Sequence, residues 1–142
     1  MVIIGATDAR EVLIADSQFG GGATTWAPAT WYLGLSTTTP NDDGSNFTEP
    51  VGGAYARVAV TNNATNFPPA TTSSGTTTKT NGAKFIFPNP TGSWGLVTHY
   101  GWFTSSSGGT PQYTNPLDAP ISPKNGNSPV EFDVGQLVMS WE

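Results

Sequence analysis

The single histidine, His99, is the natural place to look for chemistry, because the chain pairs it with ten acidic residues and no cysteine. One imidazole cannot build a two-histidine metal centre, and thiolate ligation is excluded outright. His99 sits inside a strongly apolar run, where a hydrogen-bonded structural histidine is the ordinary reading. A serine nucleophile would need that same histidine, a carboxylate and a Gly-x-Ser-x-Gly elbow, and the pentapeptide does not occur. Glu131 and Asp133 are two residues apart on an expected strand, so both project from one face at a spacing of roughly 7 Å, a separation at which carboxylate pairs cleave glycosidic bonds. The competing reading is a solvated pair beside a turn. The run Asn41-Asp42-Asp43-Gly44-Ser45-Asn46, with Glu49 beyond it, is rich in oxygen but departs from calcium-loop spacing, and turn chemistry accounts for it without an ion. Gly20-Gly21-Gly22 follows a helix instead of opening one, so it is no phosphate cradle. No catalytic residue, cofactor or metal is expected.

The elements that would position these groups are mostly strands. Asp8 followed by Glu11 reads as a helix start with its reciprocal carboxylate, and Val12, Leu13 and Phe19 share an apolar side before the glycines, which predicts one short helix from Asp8 to Ser17. Beyond it, twelve prolines and seventeen glycines leave no stretch long enough for a second helix to propagate. Ala29 to Ser36 alternates Trp31, Leu33 and Leu35 against Tyr32, Gly34 and Ser36, the period of a strand. Tyr55 to Thr61 does the same through Val58 and Val60. Lys84 to Pro88 presents Phe85 and Phe87 together. Leu96 to Thr104 sets Val97, His99 and Phe103 against Leu96, Tyr100 and Trp102. Val130 to Phe132 and Gln136 to Trp141 follow, separated by a turn at Asp133-Val134-Gly135.

The expected fold is therefore all-β, a β-sandwich or jelly roll of short antiparallel strands with one short N-terminal helix, and a barrel as the second choice. It forms a single domain over residues 1–142, with residues 1–25 as an N-terminal arm and helix. Residues 62–82, rich in Thr, Ser and Asn, carry too little apolar material to order themselves and read as an exposed loop or hairpin arm outside the core. Leu33, Leu35, Val58, Val60, Phe85, Phe87, Val97, Phe103, Leu137 and Met139 are the expected core.

Composition narrows the partners. Five Lys and Arg stand against ten Asp and Glu, and the cations are scattered, so neither a nucleic-acid backbone nor an anionic membrane is an expected partner. The first four residues are apolar but give way to Gly5 and Asp8 too soon for a leader or a span, which predicts synthesis in the cytoplasm. The exterior must be covered by hydroxyls, amides and backbone, a surface suited to lasting contact with other protein. Of the five tryptophans, Trp26, Trp31, Trp94, Trp102 and Trp141, most should fill the core. Trp26 and Trp94, in loops, are candidates to meet a partner. The expected interface comprises Val2, Ile3 and Ile4 of the amino-terminal segment, Trp26, Asn41, Asp42 and Asp43 of the first long loop, Phe67 of the insert, and Trp94.

From Tyr32-Leu33-Gly34-Leu35-Ser36-Thr37-Thr38-Thr39-Pro40-Asn41-Asp42, through Gly53-Ala54-Tyr55-Ala56-Arg57-Val58 and Phe87-Pro88, to Trp94-Gly95-Leu96-Val97-Thr98-His99-Tyr100-Gly101-Trp102-Phe103, the sequence resembles a group of small phage virion proteins described as head-decoration or tail-fibre-like. A short amphipathic helix ending near Phe19-Gly20 fits the same group. The Thr- and Asn-rich insert and the proline-dense stretch Pro111 to Pro129 depart from it. The resemblance implies a structural role in the phage particle and supplies no catalytic residues. A capsid decoration, or cement, protein bound to the major capsid protein and to copies of itself is the first expectation. A tail-fibre or tail-tip subunit that recognises a host glycan and contacts other tail proteins is the second, and a small glycan-cleaving enzyme using Glu131 and Asp133 is the third.

Overall fold

A computed structural model describes residues 3–20 and 27–141; Val2 and Trp26 lie outside the described residues. The chain forms β1 (Ile3–Ile4), α1 (Asp8–Gln18), β2 (Thr30–Ser36), β3 (Val58–Thr61), β4 (Thr71–Ser73), β5 (Thr76–Thr80), β6 (Phe85–Ile86), β7 (Val97–Phe103), β8 (Tyr113–Ile121), β9 (Glu131–Phe132) and β10 (Val138–Trp141). One sheet runs β3-β2-β7-β8 and a second β1-β10-β5-β4, with β6 and β9 pairing separately. All pairings are antiparallel. The two larger sheets are stitched together just past β1, where Ala6 bridges Tyr113 and the Thr114 amide donates to the Gly5 carbonyl at 2.7 Å. The result is the expected all-β, sandwich-like fold with one short helix.

Alternation explains the core. Trp31, Leu33 and Leu35 of β2 are buried beside Val60 of β3, Phe85, Phe87, Leu137 and Met139. In β7 the sequence sets Val97 opposite Tyr100 and Trp102, yet all three meet in the core. The register against β8 shifts between Val97 and His99, where two steps along β7 match five along β8, so the alternation is not carried from Val97 to Tyr100, whereas Tyr100, Trp102 and Phe103 keep it. Phe103 is consequently buried on the other face, edge-on to Phe47 at 5.1 Å.

The helix spans nearly the expected residues but docks differently. Thr7, in extended backbone, takes the cap position, and its hydroxyl donates to the Pro111 carbonyl; Asp8 and Glu11 fall in the first turn, where the helix dipole favours acid. The face carrying Val12, Leu13 and Phe19 is exposed, and the buried contact is made by Arg10. Arg10 donates through Nε to the Tyr113 hydroxyl at 3.1 Å, and its guanidinium lies 5.3 Å from the Trp31 ring and 5.5 Å from that of Tyr113. An arginine can be buried this way because its head is delocalised and weakly hydrated.

Residues 62–82, expected as an exposed loop or hairpin arm, contribute a hairpin, with Phe67 and Asn81 buried beside it, and the proline-dense stretch also supplies a strand. Within residues 62–82, β4 and β5 form a hairpin whose turn, Ser74 and Gly75, has both φ angles positive, the backbone of a tight two-residue connection. β5 lies inside its sheet, between β4 and β10, while Phe67 and Asn81 are buried. The proline-dense stretch supplies β8. Pro116 and Pro120 are tolerated there because β8 ends its sheet and has one neighbour along most of its length.

Candidate functional site

Glu131 and Asp133 do project together, as their spacing predicts, but onto one ammonium. Lys84 Nζ lies 3.0 Å from Glu131 Oε1 and 2.8 Å from Asp133 Oδ1. Hydrogen bonds to Asp133 and then Glu131 raise the Lys84 pKa. The space where a water or glycosidic oxygen would sit is thus taken by a cation, and the arrangement is a surface charge cluster closing the β9 turn. Glu131 also lines a groove of about 430 Å³ between β8 and the β9–β10 segment, together with Asn115, Asp118 and Gln136.

His99 is half-buried on β7 with Nδ1 2.8 Å from the Thr98 hydroxyl, and burial lowers its pKa. The loop beginning at Asn41 folds on its own polar groups. The Ser45 amide donates to Asp43 Oδ1 at 2.8 Å, Asn41 Nδ2 to Ser45 Oγ at 2.8 Å, and Asn46 Nδ2 to the Thr39 carbonyl at 2.7 Å. The bonds from Ser45 hold the Asp43 carboxyl below its ordinary pKa. Among the described residues no group of three or more His, Cys, Asp or Glu converges to hold a metal ion.

Glu49, the remaining acid of that loop, faces Arg57. The guanidinium grips the carboxylate with both edges, Nε to Oε1 at 2.8 Å and Nη2 to Oε2 at 2.7 Å. Nη1 donates to the carbonyls of Ser105 and Gly108, and the Phe103 ring lies 3.4 Å beneath. Tyr55 completes the cluster: its hydroxyl donates to Glu49 Oε1 and accepts from the Leu35 amide. Burial pushes the Tyr55 pKa far above the ordinary phenol value. The cluster pins two loops to the outer face of the β2–β7 sheet.

The expected interface residues separate into surface and core. Asn41, Asp42 and Asp43 are exposed, and Ile3 and Ile4 form β1 against β10. Trp94 and Phe67 are not available to a partner. Trp94 is buried, donates from Nε1 to the Gly53 carbonyl at 2.8 Å and packs edge-on to Tyr55. Phe67 is buried edge-on to Trp102 at 5.5 Å. Rings in loop segments are drawn inward because a small β domain has few other large side chains to fill its ends. The accessible large apolar side chains among the described residues are instead Val12, Leu13 and Phe19 around α1, with Val51, Ile86, Leu96, Val134 and Val138 elsewhere. Sequence pattern cannot reveal these, because an apolar stripe on a helix normally signals a buried face.

No helix among the described residues is long and apolar enough to cross a membrane. No curated protein matches the chain at a significant level. Residues 5–140 match a protein family described as Podophage GP4 fiber I protein gp80. That match takes in the helix, the stitch between the sheets and every strand but β1, so the chain belongs to this family and is a fibre-type structural protein of the phage virion.

Proposed function

We propose that the protein is a subunit of the phage tail-fibre apparatus that acts by contact and carries out no catalysis. The observation that carries this reading is the family match, which extends over almost the whole folded chain. A charge-poor exterior and a helix with Val12, Leu13 and Phe19 uncovered support lasting protein contact. Its partners on this reading are copies of itself and other tail proteins, with synthesis in the host cytoplasm before assembly. The capsid-decoration expectation rests on a small compact domain, a hydroxyl-rich exterior and extended Pro-punctuated segments, which suit any protein neighbour, so the fibre family weighs towards the tail.

Cryo-microscopy of virions labelled with antibody to this protein tests the assignment. Label on the fibres, together with poor adsorption to host cells by particles lacking the protein, is the expected result. Label spread over the capsid lattice would replace the fibre reading with decoration.

A further inference from the structure

An asparagine followed by glycine is the pair in which a backbone amide most readily attacks a side chain, because glycine has no Cβ to hinder the approach. The sequence holds two such pairs, Asn81-Gly82 and Asn125-Gly126. The fold treats them in opposite ways.

Asn81 is fully buried. Its Nδ2 donates to two carbonyls and its Oδ1 accepts from the Leu137 amide. The Gly82 amide, which would be the attacking group, donates to the Asn66 carbonyl at 2.8 Å. A Cβ at position 82 would collide with the Thr65 carbonyl, so the backbone there is closely packed as well. Attack at this pair requires the exit of β5 to open first.

Asn125 lies in the loop between β8 and β9, exposed together with Lys124 and Gly126. A bond of 3.0 Å from the Asn127 amide to the Lys124 carbonyl closes a turn, with Asn125 and Gly126 as its two central residues. Gly126 has φ +86°, the conformation of the second central residue of a type II turn, and a Cβ there would meet nothing within 4 Å. Neither the Gly126 amide nor the Asn125 carboxamide makes a hydrogen bond among the described residues. No bond has to break, therefore, before the peptide plane between them rotates and turns its nitrogen towards Asn125 Cγ. Asn127, in the same turn, is held: its Oδ1 accepts from the Lys124 amide at 2.9 Å, and the residue after it is a serine.

We propose that Asn125 is a site of spontaneous deamidation and backbone isomerisation, from which burial exempts Asn81. The Gly126 nitrogen forms a bond to Asn125 Cγ; its proton passes through solvent to Nδ2, which leaves as ammonia, and a five-membered succinimide closes. Water then opens the ring. Breaking the new Cγ–N bond restores the original backbone and leaves aspartate, whereas breaking the bond from the main-chain carbonyl carbon to that nitrogen routes the chain through the side chain and leaves isoaspartate. Either product sets a new negative charge beside Lys124, and isoaspartate adds a carbon to the backbone, which unmakes the turn. The same loop, through Ser122, Pro123, Asn127 and Ser128, walls a groove of about 540 Å³, so the surface at that groove changes as the protein ages.

The experiment incubates the purified full chain for several weeks at physiological temperature and mildly alkaline pH, folded and in urea, then digests it with chymotrypsin and locates mass changes by fragmentation. In the folded protein the peptide 118–132 is expected to gain about 1 Da at Asn125, faster as the pH rises, and to accept a methyl group from an isoaspartyl methyltransferase. Conversion at Asn125 should outpace that at Asn81 by about tenfold or more, and urea should remove the difference. Asn125→Gln should abolish the gain with the thermal midpoint unchanged, and Gly126→Ala should slow it about tenfold by hindering the nitrogen. No gain at Asn125, an equal gain at Asn127 or Asn81 in the folded protein, or a rate unaffected by Gly126→Ala would each overturn the proposal. So would an Asn81 that converts no faster in urea, or an Asn125 that folding slows by more than about tenfold, since the fold would then not be what separates the two pairs.

Discussion

Gly34 and Gly101 face each other directly across the β2–β7 pairing, and neither brings a Cβ to the outer surface of the sheet. Phe47 and Phe103 occupy the notch this leaves. A Cβ at position 101 would lie 2.6 Å from Phe47 Cε2 and 3.2 Å from the Tyr113 carbonyl, and one at position 34 would lie 3.0 Å from both Glu49 Oε1 and Phe103 Cε2. Gly101→Ala therefore forces the Phe47 ring off Phe103 and is expected to cost about 1–3 kcal/mol. Gly34→Ala should cost less, because its nearest contacts are looser. Urea titration of the two variants at unchanged m-value checks the ranking, and an unaltered midpoint for Gly101→Ala would show that the notch is soft.

The clamp beside that notch makes a sharper case. The Arg57 side chain is 3% exposed and Glu49 26%, so losing the guanidinium leaves a partly buried carboxylate and two loop carbonyls without their donor. Arg57→Ala is expected to lose about 3–5 kcal/mol, the range for removing one partner of a buried pair. Arg57→Lys should recover only part of this, since an ammonium cannot grip both carboxylate oxygens and reach two carbonyls as a planar fork does. Chemical denaturation of both variants distinguishes these outcomes; equal stability of Arg57→Lys and wild type would mean that charge alone holds the loops.

The uncovered helix face predicts the opposite behaviour. Val12→Ser and Leu13→Ser remove apolar area from positions already 59% and 41% exposed, so each should shift stability by no more than about 0.5 kcal/mol. If that face meets neighbouring subunits, incorporation of the doubly substituted protein into virions should fall several-fold in competition with wild type. Normal incorporation would move the contact to another surface.

His99 gives a pH dependence with a definite sign. Burial lowers its pKa in the folded chain below the ordinary 6.5, so as pH falls through that value the unfolded chain takes up a proton before the folded one does. Stability should therefore hold above about pH 7 and decline between roughly pH 6.5 and 5, where the unfolded state binds more protons. His99→Gln should flatten that part of the curve, leaving the acid limb to the carboxylates. Urea midpoints of the two proteins at pH 7.5 and 5.5 measure the difference; parallel curves would remove His99 as the cause.

How much of this was legible in sequence depends on which force set each position. Trp31, Leu33 and Leu35 were readable because one face of β2 is buried throughout, and the same holds for Phe85, Phe87, Leu137 and Met139. That Tyr100 shares a face with Val97 was not, because a register shift is a local backbone event without a composition signature. The Thr-rich segment was readable only as a loop or hairpin arm, since its cross-strand pairs are hydroxyls, Thr72 to Thr77 at 2.8 Å, in place of alternating apolar residues; Ser74-Gly75 between two threonine runs was the signal for the turn. Of the candidate interface, the polar loop Asn41 to Asp43 was placed at the surface, whereas Phe67 and Trp94 were drawn into the core.

Asn81 shows what a buried polar residue does at the end of that hairpin. It is fully buried; its Nδ2 donates to the carbonyls of Ala83 and Asp133, and its Oδ1 accepts from the Leu137 amide, each at 2.8 Å. Its backbone adds two further bonds, to Leu137 and from Gly135. One side chain thus ties the exit of β5 to the turn that leads into β10, with all three of these capacities met. Asn81→Ala strands the Leu137 amide in the interior and should cost about 1–3 kcal/mol. Because the backbone bonds remain, the loss should be local first: hydrogen exchange at Leu137 should accelerate by more than the global destabilisation requires. Exchange at Leu137 that tracks global unfolding alone would show that the turn has no independent opening and that Asn81 acts only through the stability of the whole sandwich.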